Sequence, residues 1–106
     1  MQILVTFKNV DPSDYLRSYL EEKLGRLDKI MPHSGTADVV FQEEKLRKIV
    51  DINLSGKGID VHAKEESSAW NEAIDLVVDK AKKQLIKSKE KLQSHRVEEY
   101  PSQSLQ

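Results

Sequence analysis

Apolar residues recur at two different periods along this chain, and the switches between them divide it into elements. Ile3, Val5 and Phe7 alternate with polar or smaller neighbours, which predicts a first strand. Asp11-Pro12-Ser13-Asp14 then opens a helix. Asp11 is the expected N-cap, accepting hydrogen bonds from free backbone N–H groups. Pro12 suits the first turn, and Asp14 favours the positive end of the helix dipole. Leu16, Leu20, Leu24, Leu27 and Met31 follow as one apolar stripe, and Met31-Pro32-His33-Ser34-Gly35 closes the element.

Alternation then returns three times: Ala37, Val39 and Phe41; Val50, Ile52 and Leu54 after the polar turn Glu43-Glu44-Lys45; and Ile59, Val61 and Ala63 after the hairpin signal Ser55-Gly56-Lys57-Gly58. Connections this short predict an antiparallel meander with one polar face. A second helix is expected from Ser67 or Ser68, either of which could cap it. Trp70, Ile74, Val77, Ala81, Leu85, Ser88 and Leu92 fall on one face. Its length to Gln93 is roughly 38 Å at 1.5 Å per residue, so its last turns should project beyond a small sheet. From Ser94 onward, Pro101 and several Ser and Gln predict a disordered tail over 94–106. The reading is one α+β domain over 1–93, ordered β-α-β-β-β-α, with two helices packed on one face of a four-stranded sheet.

Charge changes the picture. The net is −1 over 106 residues, which by itself argues against a polyanion partner. Residues 1–79, however, hold 10 basic and 15 acidic residues, whereas residues 80–96 hold seven basic residues and one acid, Glu90. On a wheel at 100° per residue the stripe of the second helix spans roughly 80°. Lys80, Lys87 and Lys91 cluster on one side of it with Lys83 a little further round, and Lys82 and Lys89 lie on the other. Glu72, Asp75, Asp79 and Glu90 lie mostly opposite the stripe. Lysines beside an apolar stripe are commonly snorkelling, solvated side chains. Here the acids thin out after Asp79, so the lysines should lack helical i,i+4 partners, and a polyanion would relieve their repulsion. On the first helix, Tyr15, Tyr19, Lys23 and Arg26 share a flank with Lys29 nearby, a combination suited to sugar, base and phosphate contacts in RNA. Parallel helices on one sheet face are expected to set the two basic lines around a shared groove.

Catalysis finds little support. His33, His62 and His95 are far apart without metal-ligand spacing, and Gly56 and Gly58 sit in a hairpin rather than before a helix. No cysteine is present. No apolar run approaches the roughly 20 residues of a membrane span. The reading is a non-enzymatic, cofactor-free, cytoplasmic protein that does not enter membranes. Two rivals stay open: a generic binder of structured RNA, and a protein-interaction module using Ile86 with Val78, the apolar pair off the main stripe.

The first-helix segment Leu16-Arg17-x-x-Leu20-x-x-Lys23-Leu24-x-Arg26-Leu27-x-Lys29 and the second-helix segment Ala73-Ile74-Asp75-x-x-x-Asp79-Lys80-x-x-x-Gln84-Leu85-x-Lys87-x-Lys89, in that element order, resemble the ribosome hibernation-promoting factors and the related ribosome-associated inhibitor A proteins. The resemblance implies a fold like a double-stranded-RNA-binding domain. It implies binding to the small ribosomal subunit and its ribosomal RNA in stationary phase, in the groove for messenger and transfer RNA, with translation blocked. Carried over residue by residue, the RNA contacts are Lys23, Arg26, Lys29, Lys80, Lys83, Lys87, Lys89 and Lys91. The chain departs from the family pattern at Ala69-Trp70, where methionine then tyrosine is usual, and at Lys83, where arginine is frequent. Its short tail favours the hibernation-promoting subtype, monomeric off the ribosome and able to pair ribosomes together with a separate ribosome modulation factor. The inhibitor subtype, which keeps ribosomes as inactive monomers, is the alternative.

Overall fold

A computed structural model of the chain describes the backbone of residues 1–99 and the side chains of residues 1–90. The order is β1 (Gln2–Lys8), α1 (Asp14–Gly25), a 3-10 helix (Arg26–Ile30), β2 (Thr36–Glu44), β3 (Arg47–Gly56), β4 (Ile59–Ser67) and α2 (Trp70–Glu99). The strands form one sheet in the order β1-β2-β3-β4. β1 runs parallel to β2, and the other two pairings are antiparallel. A parallel pair needs a crossover connection, and α1 supplies it. The architecture is α+β, as the periodicity predicted.

The register explains the core. Val5, Val39, Ile52 and Ala63 stand opposite one another across the four strands, and Ile3, Ala37, Leu54 and Val61 form the next row on the same face. Leu16, Leu20, Leu24, Leu27 and Met31 pack against these rows from α1 and the 3-10 helix, joined by Ala73, Ile74, Val77, Ala81 and Leu85 from α2. Burying one such leucine contributes about 1.5–3 kcal/mol. On edge strand β1, Ile3, Val5 and Phe7 are half-buried, with Phe7 stacked on Phe41 at 5.0 Å between ring centroids. The other sheet face is open and mostly polar, carrying Asp38, Asp51, Asn53, Asp60 and His62. Ile49 is the exception, buried on that face between its cross-strand partners Gln42 and Glu66.

Three local expectations are corrected. The N-cap of α1 is Ser13 rather than Asp11: its side chain accepts a hydrogen bond from the Leu16 N–H. Pro12 therefore precedes the helix. The stripe from Leu16 to Met31 runs through an α-helix and a 3-10 helix and ends on Met31, the extended residue that follows them. Its single three-residue step, Leu24 to Leu27, falls where the α-helix gives way to the 3-10 helix, whose three residues per turn keep Leu27 on the buried side. Finally, α2 continues past Gln93 to Glu99. Ser94 costs a helix little, and no Gly or Pro intervenes before Pro101. The rest of the predicted tail, 100–106, lies outside the described residues. At the start of α2, Ser67 Oγ accepts from the Ala69 N–H at 3.3 Å, so Ser67 is the serine that acts there.

Candidate nucleic-acid interface

α1 and α2 run side by side in the same direction over the sheet, and polar side chains bridge them in steps of four residues. Asn71 donates to the Tyr15 hydroxyl at 2.8 Å, and one turn later the Tyr19 hydroxyl donates to Asp75 at 2.8 Å. The two tyrosine rings stack at 6.2 Å. Lys23 Nζ lies 3.7 Å from the same Asp75 oxygen and 5.4 Å from the centre of the Tyr19 ring. By accepting the Tyr19 hydrogen bond, Asp75 holds that hydroxyl above its ordinary pKa, and desolvation and the carboxylate's charge push the same way. Both tyrosine hydroxyls are thus engaged with α2 rather than free, Tyr19 being half-buried against the core and Tyr15 exposed.

Beyond this ladder the helices leave a hollow of about 210 Å3. Lys23, Arg26 and Lys82 are its cations, Asp75 and Asp79 its acids, and Leu27 and Val78 its apolar floor. Arg26 also reaches Glu22 at 3.9 Å. Lys82 forms no ion pair among the described residues. Lys29 is exposed on the 3-10 helix, and Lys89 Nζ donates to the Ile30 carbonyl at 3.3 Å. That bond ties α2 to the end of the 3-10 helix, where a cation suits the free carbonyls.

The remaining predicted lysines lie elsewhere. Lys80 pairs with Glu65 of β4 at 3.3 Å. Lys87 lines a shallow hollow with Asp60, Val61, Gln84 and Ser88. Lys83, on the solvent side, pairs with Asp79 one turn back at 3.2 Å. The expected shared groove is therefore only partly formed. Lys23 and Arg26 meet Lys82 in it, while Lys80 and Lys87 occupy the opposite flank of α2, toward β4. The expectation that these lysines lack helical i,i+4 partners is corrected for Lys83, which has Asp79, while Lys80 finds its partner on a strand instead. Lys91 lies outside the residues whose side chains are described.

Lys82 is the residue that sequence reasoning left out of the site. The wheel had separated it from Lys80, but nothing on a wheel says which flank meets α1. The signal was available in topology. A parallel β1–α1–β2 unit crosses over with a strongly preferred hand, which would have seated α1 beside the Lys82 flank.

Outside this region, Trp70 packs on Phe41 at 5.5 Å with Lys48 over its ring at 5.6 Å, as a core-edge residue. His62 Nε2 lies 2.7 Å from Asp51 on the open sheet face. Among the described residues no group of three or more His, Cys, Asp or Glu is placed to hold a metal, and no helix is long and apolar enough to cross a membrane. Val78 is 9% exposed and Ile86 38%, so the apolar pair considered for protein docking reduces to one half-open side chain.

Known proteins resemble this chain in sequence and in fold. The sequence is 37% identical over 91 residues to a protein named ribosome hibernation promoting factor from Azotobacter vinelandii, covering 86% of this chain and 85% of the relative. It is 33% identical over 95 residues to the protein of that name from Escherichia coli K12, covering 90% of this chain and all of the relative. A solved ribosomal subunit interface protein from Coxiella burnetii superposes with a TM-score of 0.74 at 36% identity, covering 84% of this chain and 98% of that one. The Thermus thermophilus Protein Y N-terminal domain gives 0.74 at 30% identity, covering 80% and 96%. With its profile matched from residue 3 to residue 93, the chain belongs to the Sigma 54 modulation protein / S30EA ribosomal protein family.

Proposed function

We propose that this protein is a ribosome hibernation factor that binds the small ribosomal subunit through ribosomal RNA, in the groove used by messenger and transfer RNA, and blocks translation by occupying it. The observation that carries the reading is the hollow between the two helices of a family member, where Lys23 and Arg26 of the first helical segment meet Lys82 of α2, with Lys29 and Lys89 beyond it and Lys80, Lys83 and Lys87 on the other sides of α2. Lys91 extends the series in sequence. The relatives' names supply the ribosome and the hibernation role. No catalytic step is required: steric occlusion suffices, and the place of action is the cytoplasm, where ribosomes work. Residues 1–93 form the binding unit, monomeric off the ribosome.

The test is co-sedimentation with purified small subunits. Lys83→Glu, Lys87→Glu and Lys91→Glu combined should abolish it while leaving the circular dichroism spectrum unchanged. Retained binding by that folded variant overturns the RNA-contact assignment. Competition with bulk RNA duplex separates this reading from a generic RNA binder, since only the latter is displaced at equal mass. Sedimentation of whole ribosomes with and without a ribosome modulation factor distinguishes paired ribosomes, expected for the hibernation-promoting subtype, from inactive monomers.

A further inference from the structure

An acid in the middle of a basic cleft is a liability for phosphate binding unless it performs another task, and the placement of Asp75 supplies one. Asp75 accepts from Tyr19 at 2.8 Å and faces Lys23 at 3.7 Å, both reaching from α1. The Asn71–Tyr15 bond repeats the bridge one turn earlier, and the hollow lined by Lys23, Arg26 and Lys82 begins where the bridges end. We propose that Asp75 is a positioning residue for the RNA interface, clamping the Tyr19 flank of α1 to α2 and holding Lys23 over the mouth of the hollow. The Lys23 contact is too long for a hydrogen bond, so the ammonium is steered by the carboxylate and still has all its donors for another oxygen. The Tyr19 hydroxyl in turn occupies the carboxylate and weakens its opposition to an incoming phosphate. The inference rests on the small-subunit reading above and assigns Asp75 no contact with RNA.

Binding to small subunits is measured for Asp75→Ala, Asp75→Asn and Tyr19→Phe, each in the wild-type and Lys23→Ala backgrounds. Asp75→Ala should weaken binding roughly three- to tenfold, the range of a surface hydrogen-bonded contact. The loss should shrink to near nothing once Lys23 is alanine. Asp75→Asn, which keeps an acceptor for Tyr19, should recover part of it. Tighter binding by Asp75→Ala would mean that the carboxylate merely repels RNA, and an equal loss in both backgrounds would mean that Lys23 is not what it positions; either overturns the proposal. If Asp75→Ala does not fold, Tyr19→Phe, which removes no charge, carries the same comparison. Failure of the wild-type protein to bind small subunits at all refutes the functional reading instead. The clamp is then judged on the free protein, where Asp75→Ala should raise the NMR mobility of the Lys23 side chain, and unchanged mobility refutes it.

Discussion

Replacing Lys82 with alanine offers a sharp measure of the cleft. Lys82 lines the hollow between α1 and α2 and has no ion pair among the described residues, so its removal frees no buried charge and disturbs no bridge. Each phosphate that a lysine neutralises releases condensed counterions and adds about 0.7 to 0.9 to the slope of log affinity against log salt. At 0.1 M salt, that slope corresponds to roughly a five- to eightfold change in affinity per contact. Lys82→Ala should therefore bind small subunits about five- to eightfold more weakly at that salt, with the slope reduced by a little under one unit. Lys45→Ala is the matched control. Lys45 also carries one positive charge, but it lies in the β2–β3 turn with a left-handed φ of 58°, at the opposite end of the sheet from the hollow. Fluorescence titrations across a salt series read both quantities. If the two variants lose the same affinity and slope, the interaction senses net charge alone and the cleft is not a site. If Lys82→Ala loses affinity without a change of slope, the lysine acts through packing rather than through phosphate.

Other expectations follow from single contacts. Leu20→Ala, at a fully buried position between α1 and the sheet, should cost about 2–5 kcal/mol in denaturant unfolding, a large share of the roughly 5–15 kcal/mol typical of such a domain. Ser13→Ala removes the cap of α1 and should cost about 0.5–2 kcal/mol, whereas Asp11→Ala should cost much less; the reverse order would restore Asp11 as the cap. The Tyr19 hydroxyl, held above its usual pKa by Asp75, donates only while protonated. Its contribution to stability is present at neutral pH and is lost as the pH rises through its folded-state pKa. Ultraviolet difference titration should show one tyrosine ionising at lower pH in Asp75→Ala than in the wild type, and coincident curves would contradict the hydrogen bond.

Periodicity carried the fold because burial here obeys it almost without exception. Every apolar position of the three meander strands named from alternation is buried, as is every member of the first stripe from Leu16 to Met31. The exceptions arise where two physical options were close in energy. Asp11 and Ser13 are both good caps, and Pro12 is tolerated on either side of a helix start. Ile49 breaks alternation because the long β2–β3 hairpin gives it cross-strand cover that the sequence does not display. Ser94 lowers helix propensity without ending a helix.

The interface was harder to read than the fold for a different reason. A helical wheel preserves angles within one helix and discards its neighbours. It separated Lys80 and Lys87 from Lys82 and Lys89 correctly, yet it gave Lys82 no neighbour outside its own helix. Packing reverses their local roles: Lys80 meets a strand carboxylate, while Lys82 shares a hollow with Lys23 and Arg26 from a segment about 60 residues earlier in the chain. The tyrosines show the same loss of information. Beside basic residues on a linear map they resemble stacking platforms, and in space they are the rungs that set the cleft's width. A basic surface assembled from two elements is therefore only half visible in either one. The acids within it, Asp75 above all, become intelligible only when the opposing helix is in place.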